Sequence, residues 1–330
     1  MLDNTVLEIV KRVGSLDRVE SEQATQKLTQ LAKAELREAI LSGDILLQYN
    51  IFTPVQLERD ASPIWPLDIL SPGEEDDLVA YTNPGHGRIP EAQLEGSYVT
   101  VPTYQITGAI DWLLNHMRKG RVDLMSRYLQ ILNYMFIKKI NDDGWHTIIA
   151  SAVDRNILVY DGDATAGQFT KRLVSLAKLV MRRNGGGNSS SINRKTLTDI
   201  FMSPEGIEDM RNWGVDQVDE VTRRELIMAN DGSIRRIFSV NLHDLDELGV
   251  GQEYQYFYTN TLGAALESSD TEMCIGLDLN DDLNFVMPIK QELELFDDPT
   301  LHRSQKGGMY GWAEMGFANL DNRSVIVMSY

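Results

Sequence analysis

Apolar residues recur at alternating steps of three and four through the middle of the chain, at Val122, Met125, Leu129, Leu132 and Phe136. That period lays one apolar stripe along one helical face. The stripe continues through Ile140 and, past Gly144, to Ile148, Ile149 and Ala152. One long spine helix is predicted, with "NDDG" the place for any kink. Shorter amphipathic stretches precede it: Val6, Ile9, Val10 and Val13 share one face, and Leu28, Leu31, Ala32, Leu36, Ala39 and Ile40 share another from about Ser21 to Leu41, where Gly43 ends the pattern. A further helix is expected from Gly167 to Arg183 on Phe169, Leu173, Leu176 and Val180, with Arg182 and Arg183 complementing its dipole.

Between the second helix and the spine the period is lost. From Asp44 to about Val101 the chain carries scattered Pro and Gly, the acidic run Glu74 to Asp77, and alternating pieces "DLVAYT" and "GSYVTVPTY" around the turn-rich "NPGHGRIP". Alternation bounded by turn residues predicts a long two-stranded excursion with little core of its own. After the fourth helix, "NGGGNSSS" (184–191) breaks the pattern as a loop. In "LTDIFMSPEGIEDMRNWG" (Leu197 to Gly214) a buried strand runs into a helix capped by Ser203 with Pro204 at its first position. A polar helix is expected at about Val215 to Met228. Strands are expected at "RRIFSVNL", "EYQYFYT", "MCIGLDL" and "LNFVMPI", and the tail reads as two paired strands about a turn at Asp321-Asn322. The class is α+β.

Composition narrows the function. The 330 residues hold 49 acidic and 31 basic side chains, a net charge of −18, so a general affinity for nucleic acid is not expected. Cys274 is the single cysteine, which excludes an internal disulfide and a cysteine-built zinc site. The first residues lack a signal peptide's basic start and apolar stretch, and no uncharged run of about 18 apolar residues occurs. The expectation is a soluble protein with no membrane contact.

Candidate chemistry is sparse. "ILVYDGDATAGQFTKR" has the strand, Gly162, four residues and Gly167 of a phosphate-binding loop, but Gln168 replaces the lysine, and Asp161 and Asp163 put negative charge where a polyphosphate would lie. "DLNDDLN" offers Asp278, Asn280 and Asp282 as calcium ligands but lacks the glycine at position six and has Ile289 in place of the bidentate glutamate. His86, His116, His146, His243 and His302 stand in separate segments, and no serine lies in a nucleophile elbow. The junction at Ser203 resembles an anion site, yet Glu205, Glu208 and Asp209 satisfy its helix dipole internally. The sequence therefore predicts no catalytic, cofactor-binding or metal-binding residues and no cofactor.

The order of elements carries more than any motif. "EGSYVTVPTYQI" (Glu95 to Ile106), "LTDIFMSPEGIEDMRNWG" and "GMYGWAEMGFANLDNRSVIVM" resemble, in turn, the return strand of the extended loop, an axial-domain strand and helix, and the closing strands of tailed-bacteriophage major capsid proteins of the Hong-Kong-97 fold. The resemblance implies an N-terminal arm at 1–50, an extended loop at 51–102, a peripheral domain at 103–154 and 289–330 with the spine helix, and an axial domain at 155–288. It implies no enzyme. It implies instead a virion protein, assembled in the host cytoplasm, that self-assembles through hexamers and pentamers into an icosahedral shell around double-stranded DNA. Scaffolding, portal and cementing proteins would be its partners. Some members of that family join a loop lysine to a neighbour's asparagine; no lysine lies between Lys33 and Lys119 here, so a noncovalent shell is expected. The alternatives are a cytosolic α+β enzyme using the degenerate turn at 162–167 and an encapsulin-type nanocompartment shell.

Overall fold

A computed structural model describes residues 8–9, 12–13, 17, 19–30, 46, 50–66, 98–115, 122–184, 195–213, 236–268, 270–280 and 284–330. Outside these lie the middle of the excursion, the "NGGGNSSS" loop after Asn184, the polar helix expected at 215–228, and the stretches 1–7 and 31–45. Residues 19–30 are helical, as the period predicts. The chain forms two compact units: Met1–Pro63, Thr100–Gly144 and Val286–Phe317 make the first, and Ile64–Val99, Trp145–Phe285 and Ala318–Tyr330 the second.

The first unit is built on a sheet in the order β1 (Thr53–Gln56), β10 (Phe285–Asp297), β11 (Lys306–Met315), β4 (Tyr104–Leu113). β10, β11 and β4 run antiparallel in sequence, with Tyr310 opposite Ala109 and Phe296 opposite Tyr310. Side chains alternate along β4: Ile106 and Trp112 are buried, and Thr107, Ala109 and Asp111 are exposed. The spine helix α1 (Val122–Arg155) covers the buried face with Leu132, Phe136 and Ile140. Gly108 lets the Phe136 ring close on the strand, since a Cβ there would meet the ring at 3.0 Å.

α1 is one unbroken helix of 34 residues, about 51 Å long at 1.5 Å per residue. The helix is continuous through "NDDG". Gly144 leaves the room taken by Leu46 and Phe52, whose atoms a side chain there would strike. One turn earlier Lys139 and Asp143 form an i,i+4 ion pair at 2.6 Å. Val122–Gly144 belongs to the first unit and Trp145–Arg155 to the second.

The second unit holds a six-stranded sheet in the order β5 (Leu158–Tyr160), β13 (Val325–Ser329), β9 (Met273–Leu277), β6 (Asp199–Met202), β8 (Val240–Asp244), β7 (Arg236–Ile237). β6, β9 and β13 are buried at every position, as interior strands covered on both faces should be. Phe169 and the α2 (Lys171–Asn184) residues Leu173, Val174, Ala177 and Met181 form a core with Ile200, Met202, Ile326 and Met328 of the sheet. Each such large side chain contributes roughly 1.5–3 kcal/mol by leaving water. A third, two-stranded sheet pairs β2 (Ile64–Pro66) with β3 (Tyr98–Thr100), the two ends of the excursion.

Three local expectations are corrected. α2 begins at Lys171, not Gly167, because Gly167 takes φ +80, outside helical backbone, and Thr170 Oγ1 then accepts from Leu173 N at 3.2 Å. "EYQYFYT" is a short helix at Glu253–Tyr256 continued by a π turn at Phe257–Thr261. Its buried aromatics, Tyr254 and Tyr258, stand four apart, a helical spacing. The two tail strands do not pair with each other: β11 lies between β10 and β4, and β13 between β5 and β9. The 3-10 turn Asn322–Ser324, capped by Asp321, redirects the chain between them.

Candidate functional site

The strand–turn–helix after β5 is occupied by its own side chains. Asp161 accepts from Thr170 Oγ1 at 2.8 Å and from Asp163 N at 3.4 Å, and Arg172 lies 3.2 Å from it. Arg172 also pairs with Asp163, so the two carboxylates hold its guanidinium above its usual range. Phe169 N donates to Asp209 Oδ2 at 3.1 Å. The groove beside this turn, about 310 Å³, is lined by Gln168, Lys171, Arg172, Asp209 and Trp213. Asp161 and Asp209 already accept the N–H and O–H groups at this turn that an anion would use, and Asp163 adds a further negative charge beside Arg172.

The junction at Ser203 is equally closed. α3 (Pro204–Arg211) is capped by Ser203, whose Oγ accepts from Gly206 N at 3.1 Å and lies 2.7 Å from the Tyr330 hydroxyl. Both hydroxyls donate to Glu272 Oε2, that of Tyr330 at 2.9 Å. Ser203 is fully buried, and Glu272, not a histidine, is the group beside its Oγ. Burial, with Cys274 and Glu272 adding negative potential, pushes the Tyr330 phenol up, so it stays a neutral donor. This is a lock between β6, β13 and the strand start at Glu272.

The candidate calcium loop is spent on internal bonds. Asp278 accepts from Thr196 N at 2.9 Å and from Asn280 N at 3.1 Å; Asn280 donates to Thr196 Oγ1 at 2.6 Å; Asp282 lies outside the described residues. Asn284 faces the Lys195 ammonium at 2.8 Å, so a cation of the chain already stands there. Lys195 continues to Asp321 at 2.9 Å, and Arg323 clasps the same carboxylate with Nε and Nη2, both at 2.8 Å. Burial raises the Asp321 carboxyl, but bonds from Arg323 and Lys195 outweigh it and leave the group below the usual carboxylate range. Sequence reasoning missed this cluster; the adjacency of Asp321 and Arg323 was the sole trace of it.

The two described histidine side chains, His243 and His146, stand on separate partners. His243 Nε2 lies 2.8 Å from Asp199 and its ring stacks on Phe201, while His146 stacks on Phe257 at 4.0 Å. For Asp199, burial raises the carboxyl, but hydrogen bonds from His243, Thr198 and Asn241 bring it below its ordinary value. His86, His116 and the His302 side chain lie outside the described residues. Among the described residues no group of three or more His, Cys, Asp or Glu is placed to hold a metal, and no helix is long and apolar enough to cross a membrane.

The described surface includes several exposed apolar side chains. Ile131, Tyr134 and Met135 are 42%, 65% and 44% exposed on α1, beside a groove with Ile106 and Phe136. In the second unit Phe238, Val250 and Tyr256 stand out to 47%, 54% and 61%. Singly exposed apolar side chains are ordinary on a folded protein, and only a contiguous patch marks a contact surface.

No known protein family and no curated protein matches the sequence. Solved structures do match its fold. Against the capsid asymmetric unit of cyanophage Pam1 the TM-score is 0.57 at 12% identity, covering 84% of this chain and 88% of that one. Against the capsid structure of cyanophage P-SCSP1u it is 0.57 at 11% identity, covering 84% and 86%. Against the capsid of an empty GTA particle it is 0.54 at 9% identity, covering 87% and 90%. The chain has the α+β, Hong-Kong-97-like fold of phage capsid subunits.

Proposed function

We propose that this protein is the major capsid protein of a tailed phage, a subunit that assembles through hexamers and pentamers into an icosahedral head shell. The observation that carries the reading is the extent of the fold match, at least 84% of this chain and 86% of each of those capsid chains. The interior chemistry agrees: the turn at 162–167, the Ser203 junction and the 278–284 loop use their polar groups to hold the fold, as a structural protein's should. In this reading 1–50 is the arm, 51–102 the extended loop, 103–154 with 289–330 the peripheral domain and 155–288 the axial domain. The shell encloses double-stranded DNA without reading its sequence, since a chain of charge −18 has little to neutralise phosphates with. Scaffolding and portal proteins are the partners expected in this role, with a cementing protein a further candidate, and the virion, assembled in the host cytoplasm, is its location.

Electron microscopy of the purified protein tests the proposal. Closed shells or ring-shaped capsomers are expected, with shells from infected cells holding nuclease-protected DNA. Deleting 77–93 should abolish normal shells while leaving the circular dichroism spectrum nearly unchanged. Small discrete particles from the intact chain at every concentration would overturn the reading.

A further inference from the structure

The hairpin between β7 and β8 turns through two residues, with Ile237 opposite Val240. Both turn residues, Phe238 and Ser239, have positive φ, +48 and +65. That is the backbone of a type I′ turn, for which Asn-Gly is the favoured pair and an aromatic residue is a poor choice. Burial within its own chain does not explain Phe238, which is 47% exposed. The tip is tied to α2 by a hydrogen bond, Lys178 Nζ donating to the Phe238 carbonyl at 2.6 Å.

Among the described residues, the helix that meets the tip is opposite in sign to the chain as a whole. α2, the sequence KRLVSLAKLVMRRN, carries basic residues and no acidic one, in a protein where acids outnumber bases 49 to 31. Arg182, Arg183 and, on the hairpin itself, Arg236 are exposed, and Leu179 beside Lys178 is 46% exposed. A strained aromatic is thus presented on a basic corner of an acidic molecule.

We propose that the Phe238 tip is a subunit contact, seated in an apolar pocket within an acidic face of a second copy of this chain. Charge complementarity selects the occupant: the abundant surface opposite in sign to this corner is the chain's own. A single rigid ring suits a formed protein pocket, whereas in duplex DNA the bases are already stacked and a ring enters only by unstacking them. The unfavourable turn is retained because contact, not folding, requires the ring there. This inference rests on the shell reading.

The test is the double variant F238N/S239G, which gives the turn its preferred pair, with Phe238→Leu as the apolar control. Thermal melting of unassembled protein and the concentration at which shells form, read by light scattering and electron microscopy, are the measurements. The expected result is a melting temperature equal to or above that of the wild type, a tenfold or greater rise in the concentration needed for shells, and near-normal assembly by Phe238→Leu. Assembly of the double variant at the wild-type concentration, or a lowered melting temperature, overturns the proposal. So does unchanged assembly accompanied by weaker binding of a 30-base-pair duplex, which would assign the tip to nucleic acid. Failure of the wild type to form rings or shells is seen before any variant is made and removes the shell reading itself.

Discussion

Asp321 sits between two cations that have almost no access to water. The side chains of Lys195, Asp321 and Arg323 are 9%, 13% and 4% exposed. Removing the one carboxylate leaves two buried positive charges facing each other, so Asp321→Asn should cost about 3–5 kcal/mol, read as a lower urea midpoint at pH 7. Lys195→Met should cost less, because Arg323 still clasps Asp321. The sign with pH follows from the depressed carboxyl. Its stabilisation is complete above the unfolded carboxylate value near ~3.9 and is lost as pH falls through the lower folded value. Wild type should therefore lose stability on acidification below about pH 4 more steeply than Asp321→Asn. Gly144 makes the opposite point about fit. Alanine improves helix propensity by about 1 kcal/mol, but its Cβ would strike Leu46, and overpacking costs about 1–3 kcal/mol. Gly144→Ala should be net destabilising in the same urea titration.

At the level of elements, legibility followed locality. α1 was legible because its apolar period is carried by the stretch itself, and the strand–cap–helix at Ser203 because the cap and Pro204 are adjacent. "EYQYFYT" misled because alternate tyrosines imitate a strand; the burial of Tyr254 and Tyr258 was decided by packing elsewhere. The pairing of β13 with β5 and β9, and the Lys195–Asp321–Arg323 and Ser203–Glu272–Tyr330 clusters, join residues far apart in sequence and leave no spacing to read. At the turn 162–167 the carboxylates that the sequence sets against a phosphate, Asp161 and Asp163, are bonded to Thr170 and Arg172. Purified protein should show no ATP hydrolysis above the buffer blank, with Gly167→Val leaving that unchanged. The segment between Lys33 and Lys119 contains no lysine, and Arg59 and Arg88 stay protonated and cannot attack an amide. Mature particles boiled in detergent and reductant should thus run as a single band at the monomer mass, where a resistant ladder would reveal isopeptide bonds.

Across the whole molecule, each unit is assembled from three separated stretches of sequence. The first sheet lacks two of its long strands until β10 and β11 exist, and in the second β5 has β13 as its neighbour, with Val327 opposite Leu158. A nascent chain leaving the ribosome therefore carries its spine helix and α2 long before either sheet can close. Neither sheet can close until its late strands, β10 and β11 in the first and β13 in the second, have been synthesised. In the shell proposed above, built from many identical copies, this acts as quality control at the source. A chain stopped at Phe285 should be degraded rapidly by added protease and, when coexpressed with the intact chain, should be missing from purified shells. In that proposed shell, an interrupted subunit cannot poison a lattice that it never becomes competent to enter.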